Sequence, residues 1–292
     1  MQIDVHIVKA FLDGGSGGNP AGVVTDANML TSEQKLAVAQ RVGLSETAFV
    51  STSERATIKL EFFTPARQIA HCGHATIATF SLLRELGSVD DGRLSKETVD
   101  GVRNVLVDGK MVFMEQRAPR YTRVAATSKL AGRVAASLRL SQPQIAVGID
   151  PFVVSTSNPF LLISMPDEQS VAQLRPDFDR VEQVSNELDL IGYYLFSTTT
   201  KVPGRHAGAR MFAPRFGIVE EAATGTAAGP LACLLYDHMG IKERTLLIEQ
   251  GQLMESPSPS IIEVRLEVGD TGISRIMVGG TAKIESSVKV EM

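Results

Sequence analysis

The segments HCGHATIATFSLLRELG (71–87) and AATGTAAGPLACLLYDHMG (222–240) decide the fold. In both, a short residue, a glycine, a polar residue and a small residue are followed by a stretch that carries no charge until its last turn. A helix that is apolar on every face is buried in a protein core. We therefore predict one buried helix in each half of the chain.

Strand patterns surround both predicted helices. Apolar and polar residues alternate at the amino terminus, in QIDVHI (2–7), and again in IIEVRLEV (261–268), as expected of strands with one buried face. GNPAGVVTD (18–26) and SNPFLLISM (157–165) both place an Asn-Pro pair before an apolar strand. The sequence predicts an α+β fold with two pseudo-duplicated domains, each of which wraps β-structure around a central buried helix.

The segment RAPRYTRVAATSKLAGR (117–133) lies between the two halves. It is basic, rich in small residues and weakly periodic, which is typical of a linker. We therefore predict a first domain at residues 1–118, a linker at residues 119–130 and a second domain that starts at residue 131.

Composition excludes several classes of protein. The 292 residues carry 29 Lys and Arg against 33 Asp and Glu, so no basic surplus favours nucleic acid or an anionic membrane surface. Two cysteines without a CxxC spacing argue against a disulfide scaffold or a structural zinc site, and fit a reducing cytoplasm. The segment MQIDVHIVKA does not follow the pattern of a signal peptide, and no apolar run reaches the roughly 18 residues of a membrane helix. We expect a cytoplasmic protein with neither nucleic acid nor membrane as a partner.

The two predicted helix starts are candidate binding sites. Backbone N–H groups at the start of a helix lack partners within the helix, and the helix dipole adds positive potential there. Such a start binds a carboxylate without a lysine. If Gly73 and Gly225 open helices that face each other across a cleft, they would clamp a small acid. Each glycine taken singly is also typical of a turn before a core helix.

Three carboxylates and one histidine are candidates for chemistry. Glu46 lies among apolar neighbours in GLSETAF (43–49), and a glutamate facing a closed cleft can act as a general acid and base, although a solvated glutamate is an adequate alternative. Glu220 and Glu221 precede the second helix start, where they would cap the helix or bind an amine. His74, at the first helix start, is expected to donate to a bound anion or to a reacting group.

Other known motifs are absent from the sequence. His71, Cys72 and His74 form H-C-x-H, but no second cluster completes a metal site, so we predict no metal. The glycine-rich loop at residues 14–18 lacks the P-loop pattern, and no GxGxxG follows the first strand. Ser45 lacks the flanking glycine of a nucleophile elbow. These patterns therefore identify neither a nucleotide-binding site nor a nucleophile elbow.

As a set, four motifs resemble the PhzF family of phenazine-biosynthesis-like isomerases. They are GNPAGVV (18–24), LSETAFV (44–50), FTPARQIAHCGHAT (63–76) and EEAATGTAAGP (220–230). The family is similar in fold to diaminopimelate epimerase and proline racemase, in which two pseudo-equivalent domains each form a β-barrel-like shell around a central helix, with the active site between them. The resemblance implies that residues 278–292 return to the first domain, so that the second domain ends at residue 277, and that the protein is a homodimer.

The resemblance also implies a reaction without a cofactor. Glu46 would remove a proton from one carbon of a cyclic dihydro-hydroxyanthranilate and return it at another. His74 and Glu221 would be the other catalytic residues. The motifs imply binding of the small carboxylate substrate by six further residues, namely Asn19, Cys72, Gly73, Thr224, Gly225 and Thr226.

Departures from the family pattern keep alternatives open. Glu221 is one methylene longer than the usual aspartate, and Gln68 replaces a common glutamate. Related epimerases use two cysteines, but Thr224 stands at the second position, and a threonine hydroxyl is too weak an acid for that role. The alternatives are an epimerase or racemase that uses Glu46 with Cys72, and a small-acid binding protein without turnover.

Overall fold

A computed structural model describes residues 1–292, which divide into two units. Unit 1 comprises residues 1–115 and 279–292, and unit 2 comprises residues 116–278.

The elements in chain order are β1 (Gln2–Ala10), β2 (Asn19–Val24), α1 (Ser32–Val42), β3 (Thr47–Ser51), β4 (Ile58–Phe63), β5 (Gln68–Ile69), α2 (Gly73–Glu85), β6 (Gly92–Thr98), β7 (Gly101–Asp108), β8 (Met111–Gln116), β9 (Arg120–Arg123), α3 (Lys129–Ser137), β10 (Phe152–Ser155), β11 (Pro159–Ser164), α4 (Glu168–Ala172), α5 (Phe178–Glu187), β12 (Gly192–Ser197), β13 (Ala207–Ala213), β14 (Ile218–Glu221), α6 (Gly225–His238), β15 (Thr245–Gln250), β16 (Ser260–Gly269) and β17 (Gly272–Glu291). None of the helices has both the length and the hydropathy of a membrane span.

Unit 1 is a β-barrel around α2. Strand β2 pairs antiparallel with β1 and parallel with β3, and β4 pairs antiparallel with β3 and parallel with β6. Strands β6, β7 and β8 continue as an antiparallel run, and β17 pairs with both β8 and β1, which closes the ring of eight strands. Helix α2 contacts β1, β2 and β3, and its side chains Ile77 and Phe80 are fully buried. The first predicted buried helix is confirmed.

Unit 2 repeats the same order of strand pairs. Strand β11 pairs antiparallel with β10 and parallel with β12, and β13 pairs antiparallel with β12 and parallel with β15. An antiparallel partner, β16, follows β15, as β7 follows β6 in unit 1. Helix α6 contacts β10, β11, β15 and β16, and Leu231 and Leu234 on it are fully buried. The predicted α+β duplication around two central helices is therefore confirmed.

One detail differs from the sequence predictions. Residues 120–123, inside the predicted linker, form β9, which pairs antiparallel with β10. The basic residues of this segment obscure the alternation of apolar and polar residues that predicts a strand. In the structure, Tyr121 lies edge to face on Phe152, with ring centroids 6.4 Å apart.

Helix α6 has a glycine that no larger residue can replace without displacing neighbours. A Cβ added to Gly229 would lie 2.1 Å from Oε1 of Gln116. The Gln116 amide cannot move freely, because it donates to the Gly225 carbonyl and accepts from the Thr156 hydroxyl. We expect Gly229→Ala to lower the free energy of unfolding by about 2 kcal/mol.

A second glycine of unit 2 provides the control for that prediction. A Cβ on Gly132, in α3, would meet its nearest atom at 3.5 Å, an ordinary contact. Because alanine favours helix, Gly132→Ala is expected to raise stability by about 0.5–1 kcal/mol. Urea unfolding of both variants measures the two shifts, and equal shifts would contradict the steric argument.

Candidate active site

The start of α2 in unit 1 gathers four residues that the sequence singled out. Gly73 is the first residue of α2, and Cys72, its N-cap, makes no side-chain capping bond to the helix. No acidic residue lies in the first turn. The helix start therefore retains the electropositive character that favours an anion.

Glu46 is held beside this helix start by the strands of the barrel. It immediately precedes β3, and its carbonyl oxygen accepts a hydrogen bond from the Gly22 N–H of β2 at 3.1 Å. The two strands approach so closely that a Cβ on Gly22 would lie 2.9 Å from Oγ1 of Thr47. Glycine at this point of the GNPAGVV segment therefore lets the strand bearing Glu46 lie close to β2.

The imidazole of His74 connects the other three residues. Its Nε2 lies 3.3 Å from Oε2 of Glu46, and both side chains are almost completely buried. On the other side of the ring, Nδ1 lies 3.2 Å from Nδ2 of Asn19 and 3.6 Å from Sγ of Cys72. Asn19, Glu46, Cys72 and His74 thus form one connected cluster.

Burial lowers the pKa of His74 below its ordinary value, although Glu46 and a hydrogen bond with the Pro20 backbone act in the opposite direction. The imidazole is therefore neutral at neutral pH, and its 3.3 Å approach to Oε2 of Glu46 is a close polar contact rather than an ion pair. A neutral imidazole can give or take one proton, so the cluster can relay protons to a carboxyl group that is shielded from water.

The same cluster is a poor match for a shared metal ion. One donor atom from each of Glu46, Cys72 and His74 lies within 4.8 Å of the others. However, the thiol contacts Nδ1 of the ring, whereas the carboxyl contacts Nε2. An ion bound at one ring nitrogen would leave the partner of the other nitrogen outside its coordination sphere. The arrangement favours proton transfer along the cluster.

The start of α6 in unit 2 carries the remaining predicted residues. Gly225 is the first residue of the helix, Thr224 is its N-cap, and Thr226 follows with partial exposure. The Thr224 hydroxyl lies 3.0 Å from Oε2 of Glu221, which is buried at the end of β14. Glu220, which the sequence suggested as a capping or amine-binding group, instead forms an ion pair with Arg210 at 2.7 Å.

Two buried polar residues were missed by sequence reasoning. They are Lys96 on β6 and Gln250 on β15, the strands that follow the two central helices. Alternation along each strand is the signal that could have found them, because Lys96 shares the inward face of β6 with Thr98, and Gln250 shares that of β15 with Ile248.

The Lys96 ammonium group is enclosed in unit 1 without a carboxylate partner. Its Nζ lies 2.5 Å from the Thr76 hydroxyl and 3.5 Å from Nδ1 of His71, and 5.1 Å from the centre of the Phe62 ring. Burial lowers the pKa of Lys96 to about 7, which Cys72 opposes and Arg103 reinforces. A lysine that changes charge near neutral pH therefore contacts Thr76, close to the start of α2.

Comparisons with known proteins agree with this fold and these motifs. The family model PhzC-PhzF, described as phenazine biosynthesis-like protein, matches residues 8–287. An uncharacterized isomerase from Deinococcus radiodurans is 32% identical over 288 residues, 95% of this chain and 91% of the relative. The trans-2,3-dihydro-3-hydroxyanthranilate isomerase of Pseudomonas chlororaphis is 29% identical over 281 residues, 94% of each protein.

Solved structures show the same architecture. The crystal structure of a PhzF-family phenazine biosynthesis protein from Bacillus anthracis superposes with a TM-score of 0.88 and 27% identity, over 100% of both chains. A hydroxyproline epimerase from Agrobacterium vitis shares the fold alone, with a TM-score of 0.61 and 10% identity over 99% of this chain and 92% of the epimerase. The predicted epimerase-like fold class is confirmed. By its motifs, its fold and the family model that spans it, the chain belongs to the PhzC-PhzF family of phenazine biosynthesis-like proteins and is an isomerase.

Proposed function

We propose that this isomerase moves a proton between two carbons of a small cyclic amino or hydroxy acid, without a cofactor. The substrate is of the trans-2,3-dihydro-3-hydroxyanthranilate type. The observation that carries the proposal is the buried contact between Glu46 and His74, with 3.3 Å between Oε2 and Nε2. The name of the Pseudomonas chlororaphis relative supports this substrate class.

Glu46 is the acid and base of the proposed reaction. Its carboxylate removes a proton from one ring carbon, and the resulting carboxylic acid returns that proton at another carbon, so one group serves both steps. His74 contacts the same carboxyl and is the catalytic partner. The N–H groups at the start of α2 hold the carboxylate of the substrate. In unit 2, Glu221 is the residue that binds an amino group.

Turnover in heavy water tests this proposal. The protein is incubated with trans-2,3-dihydro-3-hydroxyanthranilate in D₂O, and the product is followed by proton NMR. Isomerisation with deuterium at the carbon that receives the proton is the expected result. Binding of the compound without proton exchange would instead favour a small-acid binding protein.

One observation favours a second candidate, an amino-acid epimerase or racemase. Sγ of Cys72 lies 3.6 Å from His74, in the same cluster as Glu46, so a thiol and a carboxyl are both available. The other cysteine, Cys233, is buried in α6, and burial raises the pKa of its thiol, which argues against a two-thiol mechanism.

Replacement of Cys72 separates the two candidates. In the proposed isomerase, Cys72 transfers no proton, so Cys72→Ser is expected to keep kcat within about tenfold of wild type, because one-base transfer by Glu46 alone accounts for the chemistry. Loss of activity in Cys72→Ser, together with deuterium incorporation at the α-carbon of an amino acid, would favour the epimerase. Cys233→Ser is the matched control for removing a thiol elsewhere.

A cytoplasmic location and a homodimeric state belong to the same proposal. The two free, buried cysteines are compatible with a reducing compartment. Light scattering of the purified protein measures the oligomeric state.

A further inference from the structure

The side chain of Gln250 uses its whole hydrogen-bonding capacity at the start of α6. Its Oε1 accepts from the Thr224 backbone N–H at 3.1 Å and from the Tyr194 hydroxyl at 2.8 Å. Its Nε2 donates to the Glu221 carbonyl at 2.7 Å and to the Thr224 hydroxyl oxygen at 3.0 Å. A side-chain amide has two donor hydrogens and two acceptor sites, so none is left over.

Two of these partners determine which way the amide faces. The backbone N–H of Thr224 can only donate, and the carbonyl of Glu221 can only accept. The oxygen of Gln250 must therefore face the first, and its nitrogen must face the second. Gln250 is also buried, so no water competes for these bonds.

The orientation of Gln250 determines that of the Thr224 hydroxyl. Since Nε2 of Gln250 can only donate, the Thr224 oxygen accepts that bond, and its own hydrogen is free to point elsewhere. Oε2 of Glu221 lies 3.0 Å from it and receives the hydrogen. The polar chain therefore runs from Gln250 through Thr224 to the carboxyl group of Glu221.

We propose that Gln250 is a positioning residue that orients the Glu221 carboxyl group through the Thr224 hydroxyl. This inference rests on the proposed function, in which Glu221 contacts the substrate. It also changes the role expected of Thr224, because its N–H and its hydroxyl hydrogen are both engaged within unit 2. The side chain of Thr224 thus acts on Glu221 instead of on the substrate.

A double-mutant cycle tests the inference. Gln250→Glu removes both donor hydrogens at almost constant shape, and Thr224→Val removes the hydroxyl. Each is expected to lower kcat/KM by at least about tenfold, since a misplaced contact group costs rate steeply. If Gln250 acts through Thr224, the double variant is no worse than the poorer single variant, because coupled residues are not additive. Additive losses would overturn the inference.

The pH profile adds a signature that a purely structural role would not produce. A protonated glutamic acid at position 250 regains one donor hydrogen, so the kcat/KM deficit of Gln250→Glu relative to wild type should shrink as the pH falls. The deficit of Thr224→Val should not change with pH. Thr224→Ser, which restores the hydroxyl, should recover most of the activity lost in Thr224→Val, and this comparison stands even if Gln250→Glu does not fold.

Tyr194→Phe is the matched control. It removes one bond to Gln250 but leaves the bonds to Thr224 and Glu221 intact. It should lower the Tm by about 2–4 °C while kcat/KM stays within threefold of wild type. A loss of activity in Tyr194→Phe as large as that in Gln250→Glu would overturn the inference, because general loosening would then explain both.

Hydrogen exchange distinguishes failure of this inference from failure of the proposed function. The Thr224 amide is expected to exchange at least about tenfold faster in Gln250→Leu, which lacks the accepting oxygen, than in wild type, whether or not the substrate is turned over. Unchanged exchange would overturn the role of Gln250. Faster exchange in a protein that converts no trans-2,3-dihydro-3-hydroxyanthranilate would support the positioning contact and reject the proposed substrate.

Discussion

Replacement of Glu46 by glutamine is expected to lower kcat for the isomerisation by about a thousandfold, the middle of the range for loss of a general acid and base. Glutamine has nearly the shape of glutamate but can neither accept nor release the transferred proton. The fold should persist, because the amide fills the same space beside His74, whose Nε2 lies 3.3 Å from the Glu46 carboxyl. Proton NMR in D₂O measures both the rate and the incorporation of deuterium.

A carboxylate at the other end of the same helix provides the control. Glu85 is the last residue of α2 and is exposed, so Glu85→Gln should keep the wild-type rate. Equal conversion by wild type and Glu46→Gln would show that another group moves the proton. A circular dichroism spectrum of Glu46→Gln that matches wild type excludes unfolding as the reason for lost activity.

Replacement of Lys96 by methionine is expected to change how stability depends on pH. In the unfolded chain Lys96 has its ordinary pKa of 10.5, whereas burial lowers the pKa to about 7 in the folded protein. Between these values the unfolded state binds one proton more than the folded state, so this group makes wild type more stable as the pH rises. Lys96→Met has no titratable group at this position and therefore lacks this pH-dependent contribution to stability.

The sign of the stability difference between Lys96→Met and wild type therefore follows from these two pKa values. Lys96→Met should be more stable than wild type near pH 6.5, since methionine fills the buried site without a charge. Its advantage should shrink by about 2 kcal/mol between pH 7 and pH 9, because the slope rises to about 1.4 kcal/mol per pH unit once the pH exceeds the folded-state pKa. Urea unfolding at several pH values measures the free energy of unfolding of each protein.

An exposed lysine in the same unit serves as the matched control. Lys110 lies in the exposed turn between β7 and β8. Lys110→Met should differ from wild type by the same amount at every pH between 6.5 and 9. If the Lys96→Met difference were also independent of pH, Lys96 would keep its ordinary charge in the folded protein.

Local patterns in the sequence were sufficient to predict the two central helices and to select the residues of the candidate site in unit 1. The helices at residues 73–85 and 225–238 follow from their lack of charge, because a helix that is apolar on all sides is stable only inside a core. Glu46 and His74 stand in short motifs whose neighbours are buried strand and helix residues. These motifs identified Glu46 and His74 as candidates, and the fold places Oε2 of Glu46 3.3 Å from Nε2 of His74.

Other features depend on which strands become neighbours. Residues 120–123 form a strand because β10 supplies hydrogen bonds and Phe152 supplies a contact for Tyr121, neither of which is visible in a basic segment. Glu220 was expected to cap α6 or to bind an amine at its start, but it forms an ion pair with Arg210 on the adjacent strand. Such pairings join residues that are separated in the sequence, or whose local sequence pattern fits more than one structure.

The sequence by itself determined the fold class, the duplication, the two helix starts and the chemical types of the residues beside them. These properties depend on hydrophobic period and on short motifs, which are local in the chain. Only the tertiary structure decided that Lys96 is enclosed without a carboxylate and that Gln250 completes the polar chain to Glu221. The reason is that burial and hydrogen-bond partners of a polar side chain are set by contacts from other strands and helices, and these contacts exist only once the barrel has closed around its helix.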